Sequence, residues 1–219
     1  MSKLFHRVLM LLGVATLAAG CAAPTKNVDY AAFKESHPRS IVVLPPLNNS
    51  PDVKATYALL SQATQPLAES GYYVLPVALV DETFRQNGLT IPGDIHAVAP
   101  AKLREIFGAD TALYITVTDY GPKYQVVSST TVVAAEAKLL DLRTGKTLWT
   151  GQASAANNQS GNAGGGLIGA LIGTAIAHAI SSVSDAAYGV AGRTSQQLLS
   201  AGTPGGILYG PRSPKYGTD

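Results

Sequence analysis

Apolar positions change period several times along the chain, and each change marks an element. The run Ser40-Ile41-Val42-Val43-Leu44 is continuous and β-branched and stops at Pro45-Pro46, which predicts a buried strand. Between Val53 and Ser70, Leu59, Leu60, Ala63 and Leu67 recur at helical spacing, with Pro66 near the end and Gly71 as the stop. Tyr72-Tyr73-Val74-Leu75, closed by Pro76, predicts a second strand, parallel to the first because a helix-length crossover joins them. Two more helices are expected, about Ala78 to Asn87 and about Pro100 to Phe107, the second opened by proline.

Ala112 to Thr118 predicts a third strand, after a helix stop and turn at Gly108-Ala109-Asp110. From Tyr124 to Leu142 the chain is β-rich: Val133, Ala135, Ala137 and Leu139 share one face, Glu136 and Lys138 the other, as in a strand with one solvated side. Asp141 to Lys146 turns it back into Thr147-Leu148-Trp149-Thr150. Ala155 to Gly166, rich in Asn, Ser and Gly, reads as a mobile loop, and a long helix is expected from about Leu167 to Leu199. The fold class that follows is α/β: a mixed sheet packed against helices, its first strands parallel, then an antiparallel hairpin and a long C-terminal helix.

The N-terminus carries a different pattern. Lys3 and Arg7 precede the apolar run Val8 to Ala19, and small residues lead to Gly20-Cys21, the order of a secretion signal. The run is short for a membrane span, which needs roughly 20 apolar residues. Leu17-Ala18-Ala19-Gly20-Cys21 resembles the lipobox of bacterial lipoproteins, although Ala18 stands where the most typical lipobox has leucine. That resemblance implies cleavage between Gly20 and Cys21 and a diacylglycerol on the Cys21 sulfur. Cys21 is the only cysteine, so no internal disulfide competes for it. Acyl chains add about 0.8 kcal/mol per buried methylene and hold a protein on a bilayer without a spanning helix. In such lipoproteins aspartate after the cysteine signals inner-membrane retention; with Ala22 in that place the resemblance implies outer-membrane sorting, and the periplasmic face is the expected side.

The expected organisation is a signal over 1–20, the lipidated Cys21 and a tether over 21–38, one α/β domain over 39–201, and a Pro/Gly-rich tail over 202–219. Once Lys3 and Arg7 leave with the signal, fourteen basic and fourteen acidic residues remain. A neutral chain without a basic cluster gives no reason to expect nucleic acid or an electrostatic grip on lipid headgroups.

Most candidate chemistry fails on spacing or context. Gly145-Lys146-Thr147 looks like the end of a phosphate loop, but Leu140 stands where that motif needs glycine, and the segment lies in a hairpin. Gly164, Gly166 and Gly169 fit a dinucleotide spacing, yet no strand precedes them. His37, His96 and His178 lack cysteine or acid at metal-ligand spacing, so no metal, cofactor or catalytic residue is assigned. The uncharged stretch Gly164 to Ser184 repeats small residues at Gly165, Gly169 and Gly173 and gathers Ile172, Ile176 and Ile180 on one stripe. Packing on the sheet, self-association and entry into a membrane are all open readings of it.

The lipobox, the strand ending in Pro45-Pro46, Gly108-Ala109-Asp110, the Asp141 to Trp149 hairpin, and the tail segments Leu208-Tyr209-Gly210-Pro211 and Pro214-Lys215-Tyr216-Gly217 together resemble a family of bacterial outer-membrane lipoproteins that includes a meningococcal surface-antigen candidate. The element order is also similar to the periplasmic domain of the curli-secretion lipoprotein and the amino-terminal domain of the Tol translocation protein. These resemblances imply a non-enzymatic interaction or assembly component of an envelope secretion or transport complex. Its expected partners are the membrane, through Cys21, and further copies of itself or other envelope lipoproteins. An oligomeric outer-membrane channel or channel cap is the alternative, and a periplasmic hydrolase without a recognisable motif a remote one.

Overall fold

The computed structural model describes residues 28–124, 129–157 and 186–219. Outside them lie the signal, Cys21, most of the stretch read as a mobile loop, and the expected long helix up to residue 185.

Strand β1 (Ser40–Val43) is the centre of the parallel half. It pairs in parallel with β3 (Tyr73–Val74) on one side and with β4 (Thr111–Tyr124) on the other. Pro45 and Pro46 have no N–H to give to a ladder, so β1 ends there; the chain rejoins β4 as the short β2 (Leu47–Asn48). Antiparallel β5 (Ser129–Asp141) and β6 (Thr147–Ala156) complete the order β3-β1-β4-β5-β6, with β2 beside β4.

Every residue from Ile41 to Leu44 is fully buried, as a continuous apolar run demands, because helices cover β1 on both faces. Ile41 and Val43 join a large cluster with α2 (Ala55–Glu69), α6 (Ala186–Leu199) and the apolar face of β4, β5 and β6. Val42 and Leu44 join a smaller one with α3 (Val77–Gln86), α4 (Pro92–His96) and α5 (Pro100–Phe107). The local signals behave as their chemistry requires: Pro100 opens α5, and Gly108, at φ +63°, closes it by donating to the Arg104 carbonyl. Asp141 shapes the β5–β6 turn by accepting from the amides of Arg143 and Thr144 at 2.7 and 3.0 Å.

The structure departs from the sequence reading in several places, among them β2, and β6, which runs to Ala156 into the stretch read as a mobile loop. β4 runs to Tyr124 rather than ending at Thr118, and the next strand starts after it. The pairing register shifts between Val117 and Asp119, so the inward and outward positions exchange there and the alternation is broken in the sequence while the strand continues. Helix α4 is too short to show a period. Residues 31–36, inside the stretch read as tether, form α1 (Ala31–Ser36), which buries Phe33 in the large cluster. The tail is also part of the packed body: Ile207 and Leu208 are core residues, and the amides of Gly210 and Arg212 donate to the carbonyls of Ser70 and Gly71 at 2.8 and 3.0 Å.

Candidate functional site

The chain crosses from β1 through α2 to β3 on one face of the sheet, and from β3 through α3–α5 to β4 on the other. The strand order therefore reverses between β1 and β4, and in open α/β sheets a crevice forms beyond the strand ends at such a point. Here the crevice widens into a groove of about 670 Å³, because among the described residues α3–α5 reach only β1, the start of β4 and Leu142, short of the rest of the outer face of β4, β5 and β6.

Strand register assembles the floor. Lys138 lies between Tyr114 and Thr150, and Glu136 lies between Thr116 and Gln152, all lining the groove. The Lys138 ammonium stands 4.9 Å from the centre of the Tyr114 ring, and the His96 ring meets the same tyrosine edge-on at 5.1 Å. His96 forms the rim: its Nε2–H donates to the Pro45 carbonyl at 2.9 Å, which fixes the tautomer. Burial pushes the His96 imidazole below its ordinary pKa against the opposing pull of the Pro45 carbonyl, and Lys138 lowers it further. Burial likewise raises the Tyr114 phenol. At neutral pH the floor thus presents a neutral imidazole and phenol, one ammonium, one carboxylate, two hydroxyls and an amide. Such a surface offers donors and acceptors suited to a polar, hydrogen-bonding partner.

A second concavity, about 240 Å³, lies between α1 and the tail, walled by Phe33, His37, Tyr72, Leu208, Tyr209 and Tyr216. Tyr72 donates to the Leu208 carbonyl at 2.5 Å. Burial raises its phenol pKa, with smaller contributions from Asp219 and Tyr216.

Gly20 and Cys21 lie outside the described residues, as do His178, Gly165, Gly169, Ile172, Gly173, Ile176 and Ile180, so the expected lipidation site and self-association stripe are neither assembled nor separated here. The two histidines among the described residues are far apart in role, His96 on the groove and His37 in the left-handed turn closing α1, 3.1 Å from the Tyr216 hydroxyl. Among the described residues no three His, Cys, Asp or Glu side chains converge as a metal site. Among them too, no helix is long and apolar enough to cross a membrane. The solvated face of β5 was legible in Glu136 and Lys138. Tyr114, Thr116 and Gln152 were missed, because only strand register sets them beside that pair.

A family model described as "Putative lipoprotein GNA1162-like" matches residues 28–212. A protein of Neisseria meningitidis serogroup B, "Putative lipoprotein NMB1124/NMB1162", is 49% identical over 205 residues, covering 94% of this chain and 95% of that one. Among solved structures, lipoprotein GNA1162 from Neisseria meningitidis is 52% identical and superposes with a TM-score of 0.53 over 66% of this chain and 99% of that one. A PelC dodecamer from Paraburkholderia phytofirmans gives 13% identity and a TM-score of 0.44, over 81% of this chain and 91% of that chain.

Proposed function

Because the chain belongs to the GNA1162-like lipoprotein family, we propose that it is cleaved after Gly20, lipidated on Cys21, and held at the periplasmic face of the outer membrane as a non-enzymatic assembly component. It works there with further copies of itself or with other envelope lipoproteins, in secretion or transport.

The observation that supports this reading best is where the packed body begins. Val28 and Tyr30 already lie against the large core cluster, so residues 22–27 are the whole link to the anchor. Fully extended, the chain from Cys21 to Val28 reaches about 25 Å. A domain so close to the bilayer is a fixed platform, and the groove it presents is built on the central strands of a rigid sheet. Its polar side chains suit recognition of a partner at the membrane.

Replacing Cys21 with serine tests the anchor: the wild-type protein is expected in the outer-membrane fraction with the mass of a diacylated chain beginning at residue 21. The variant should remain as uncleaved precursor or leave that fraction. Unchanged fractionation would sink the anchor reading. Gentle detergent extraction followed by native sizing and mass spectrometry tests the assembly reading, which requires a homo-oligomer or other envelope lipoproteins in stoichiometric amounts; a lone monomer counts against it.

A further inference from the structure

Unpaired N–H and C=O groups along the edge of a sheet invite another strand, so natural sheets blunt their edges with proline, charge or brevity. The edges of this sheet are treated unequally. β3 is two residues long, and the tail amides of Gly210 and Arg212 bond to the carbonyls of Ser70 and Gly71 just before it. β4, where it runs on past its β2 partner, carries Pro122, which has no N–H, and Lys123, paired with Asp119 at 2.9 Å. β6 ends the strand order and is ten residues long, yet from Thr147 to Ala156 it contains neither proline nor a charged residue.

Register shows which groups of β6 face outward. The Asp141 amide donates to the Lys146 carbonyl at one end of the β5–β6 ladder, and the Thr131 amide reaches Asn157 Oδ1 at the other. Odd-numbered residues of β5 thus direct their backbone groups toward β6, and their partners Trp149, Gly151, Ala153 and Ala155 direct theirs back. Thr150, Gln152 and Ser154 therefore point N–H and C=O away from β5. The tail flanks the strand's beginning, where the Trp149 indole N–H donates to the Gly205 carbonyl at 2.9 Å. Arg193 caps its end by donating to the Ala156 carbonyl at 3.1 Å. Between them, among the described residues, nothing bonds to the outward amides and carbonyls of Thr150, Gln152 and Ser154.

This stretch is complementary to itself. Set antiparallel about a two-fold axis at Gln152, it brings Thr150 against Ser154 of a second copy and Gln152 against its own image, each opposed pair exchanging both backbone bonds. On the groove face hydroxyl then meets hydroxyl and amide meets amide, all on exposed residues. On the other face Gly151 meets Ala153, a pair too small to collide. A charged strand laid on its own copy sets like charges against one another, which is destabilising; this one has none to oppose.

We propose that the β6 edge from Thr150 to Ser154 pairs antiparallel with the same edge of a second copy, joining the two sheets into one. The inference rests on the assembly reading and deepens it by naming the surface through which copies meet. Thr150 and Gln152 also line the groove, so the pairing runs two grooves together across the axis and sets Ser154 of each copy beside the groove of the other.

The test is oxidative cross-linking of the full lipoprotein in mild detergent, with the wild type, whose one cysteine is Cys21, as the blank. Residues opposed in such a pair have Cα atoms about 5.5 Å apart, within reach of a disulfide. Gln152→Cys should therefore give a disulfide-linked dimer. Thr150→Cys, about 13 Å along the strand from its image, and Lys138→Cys, one strand inward, should give several-fold less; mixing Thr150→Cys protein with Ser154→Cys protein should restore the link. Gln152→Lys leaves the bonds to β5 intact, since the Gln152 backbone faces outward, and places two ammonium groups at the axis. It should weaken the dimer several-fold on native sizing. Equal linking at 138, 150 and 152 would overturn the proposal. So would an oligomer that position 152 neither links nor weakens, which would leave the assembly reading standing through another surface or another lipoprotein. A wild type that stays monomeric at every concentration and alone in the extract would overturn both.

Discussion

Among the described residues, one face of the sheet is covered from β3 to β6, and the other over β1 and the start of β4. The closed face draws its cover from distant parts of the chain: α1, α2, α6 and the tail residues Ile207 and Leu208 all meet in one cluster. The other is covered by α3, α4 and α5, which follow one another in sequence and reach only β1, the start of β4 and Leu142. The difference appears within single strands. β1 is apolar from Ile41 onward because both its faces are covered, whereas β5 alternates, since Leu139 points into the core and Lys138 into the groove. The two chain ends join α2 in covering one face, and among the described residues the other face leaves room for a polar site on β4, β5 and β6.

Two neighbouring substitutions give the widest separation between the faces. Leu139→Ala removes a fully buried side chain from the closed face and should cost about 2–5 kcal/mol, because transfer and cavity terms add. Lys138→Ala, one residue away, should stay within about 0.5 kcal/mol, as exposed substitutions do. Thermal unfolding of the two purified variants checks this. Comparable losses would mean that the open face is packed against something in solution.

The next largest effect should come from the tail's hold on the closed face. Gly71→Ala puts a side chain on a residue at φ +98° and drives it into the backbone at Ser213. A cost of about 1–3 kcal/mol is expected from the backbone strain, together with faster protease cutting after Arg212 or Lys215 as the tail lifts. A variant as stable and as resistant as the wild type would show that the tail is dispensable to the cluster.

How much of this was legible follows the same divide. The alternation from Val133 to Leu139 specified which side of β5 is wet, and Pro100 and Gly108 marked the ends of α5, since these signals act through a residue's immediate neighbours. The extension of β4 was hidden by one irregularity after Val117, which reverses the pattern without ending the strand. Helix α1 and the tail carry no period; they are held by partners more than a hundred residues away, such as Tyr30 with Gly206 and Tyr72 with Leu208. In the groove, Glu136 and Lys138 could be read as solvated, but the company of Tyr114, Thr116 and Gln152 depends on strand register, which no local signal sets.

The smallest expected effect probes the open face alone. His96 is held below its ordinary pKa of 6.5, chiefly by burial, with Lys138 adding to the depression across the groove. An imidazole depressed in the folded protein is protonated more readily in the unfolded chain. Its contribution to stability is therefore complete above the unfolded value near 6.5 and is eroded as the pH falls below it toward the folded value. Lys138→Ala removes one of the depressing influences while leaving the core untouched. In that variant the His96 titration, followed by its ring proton resonances, should move upward, and the acid limb of the stability profile should move with it toward unperturbed behaviour. Burial by Pro45 and Tyr114 persists, so the shift should be partial. A titration that does not move would mean that the Lys138 charge is spent elsewhere, on a partner in the groove or on solvent, and that the two sides of the groove do not act on one another.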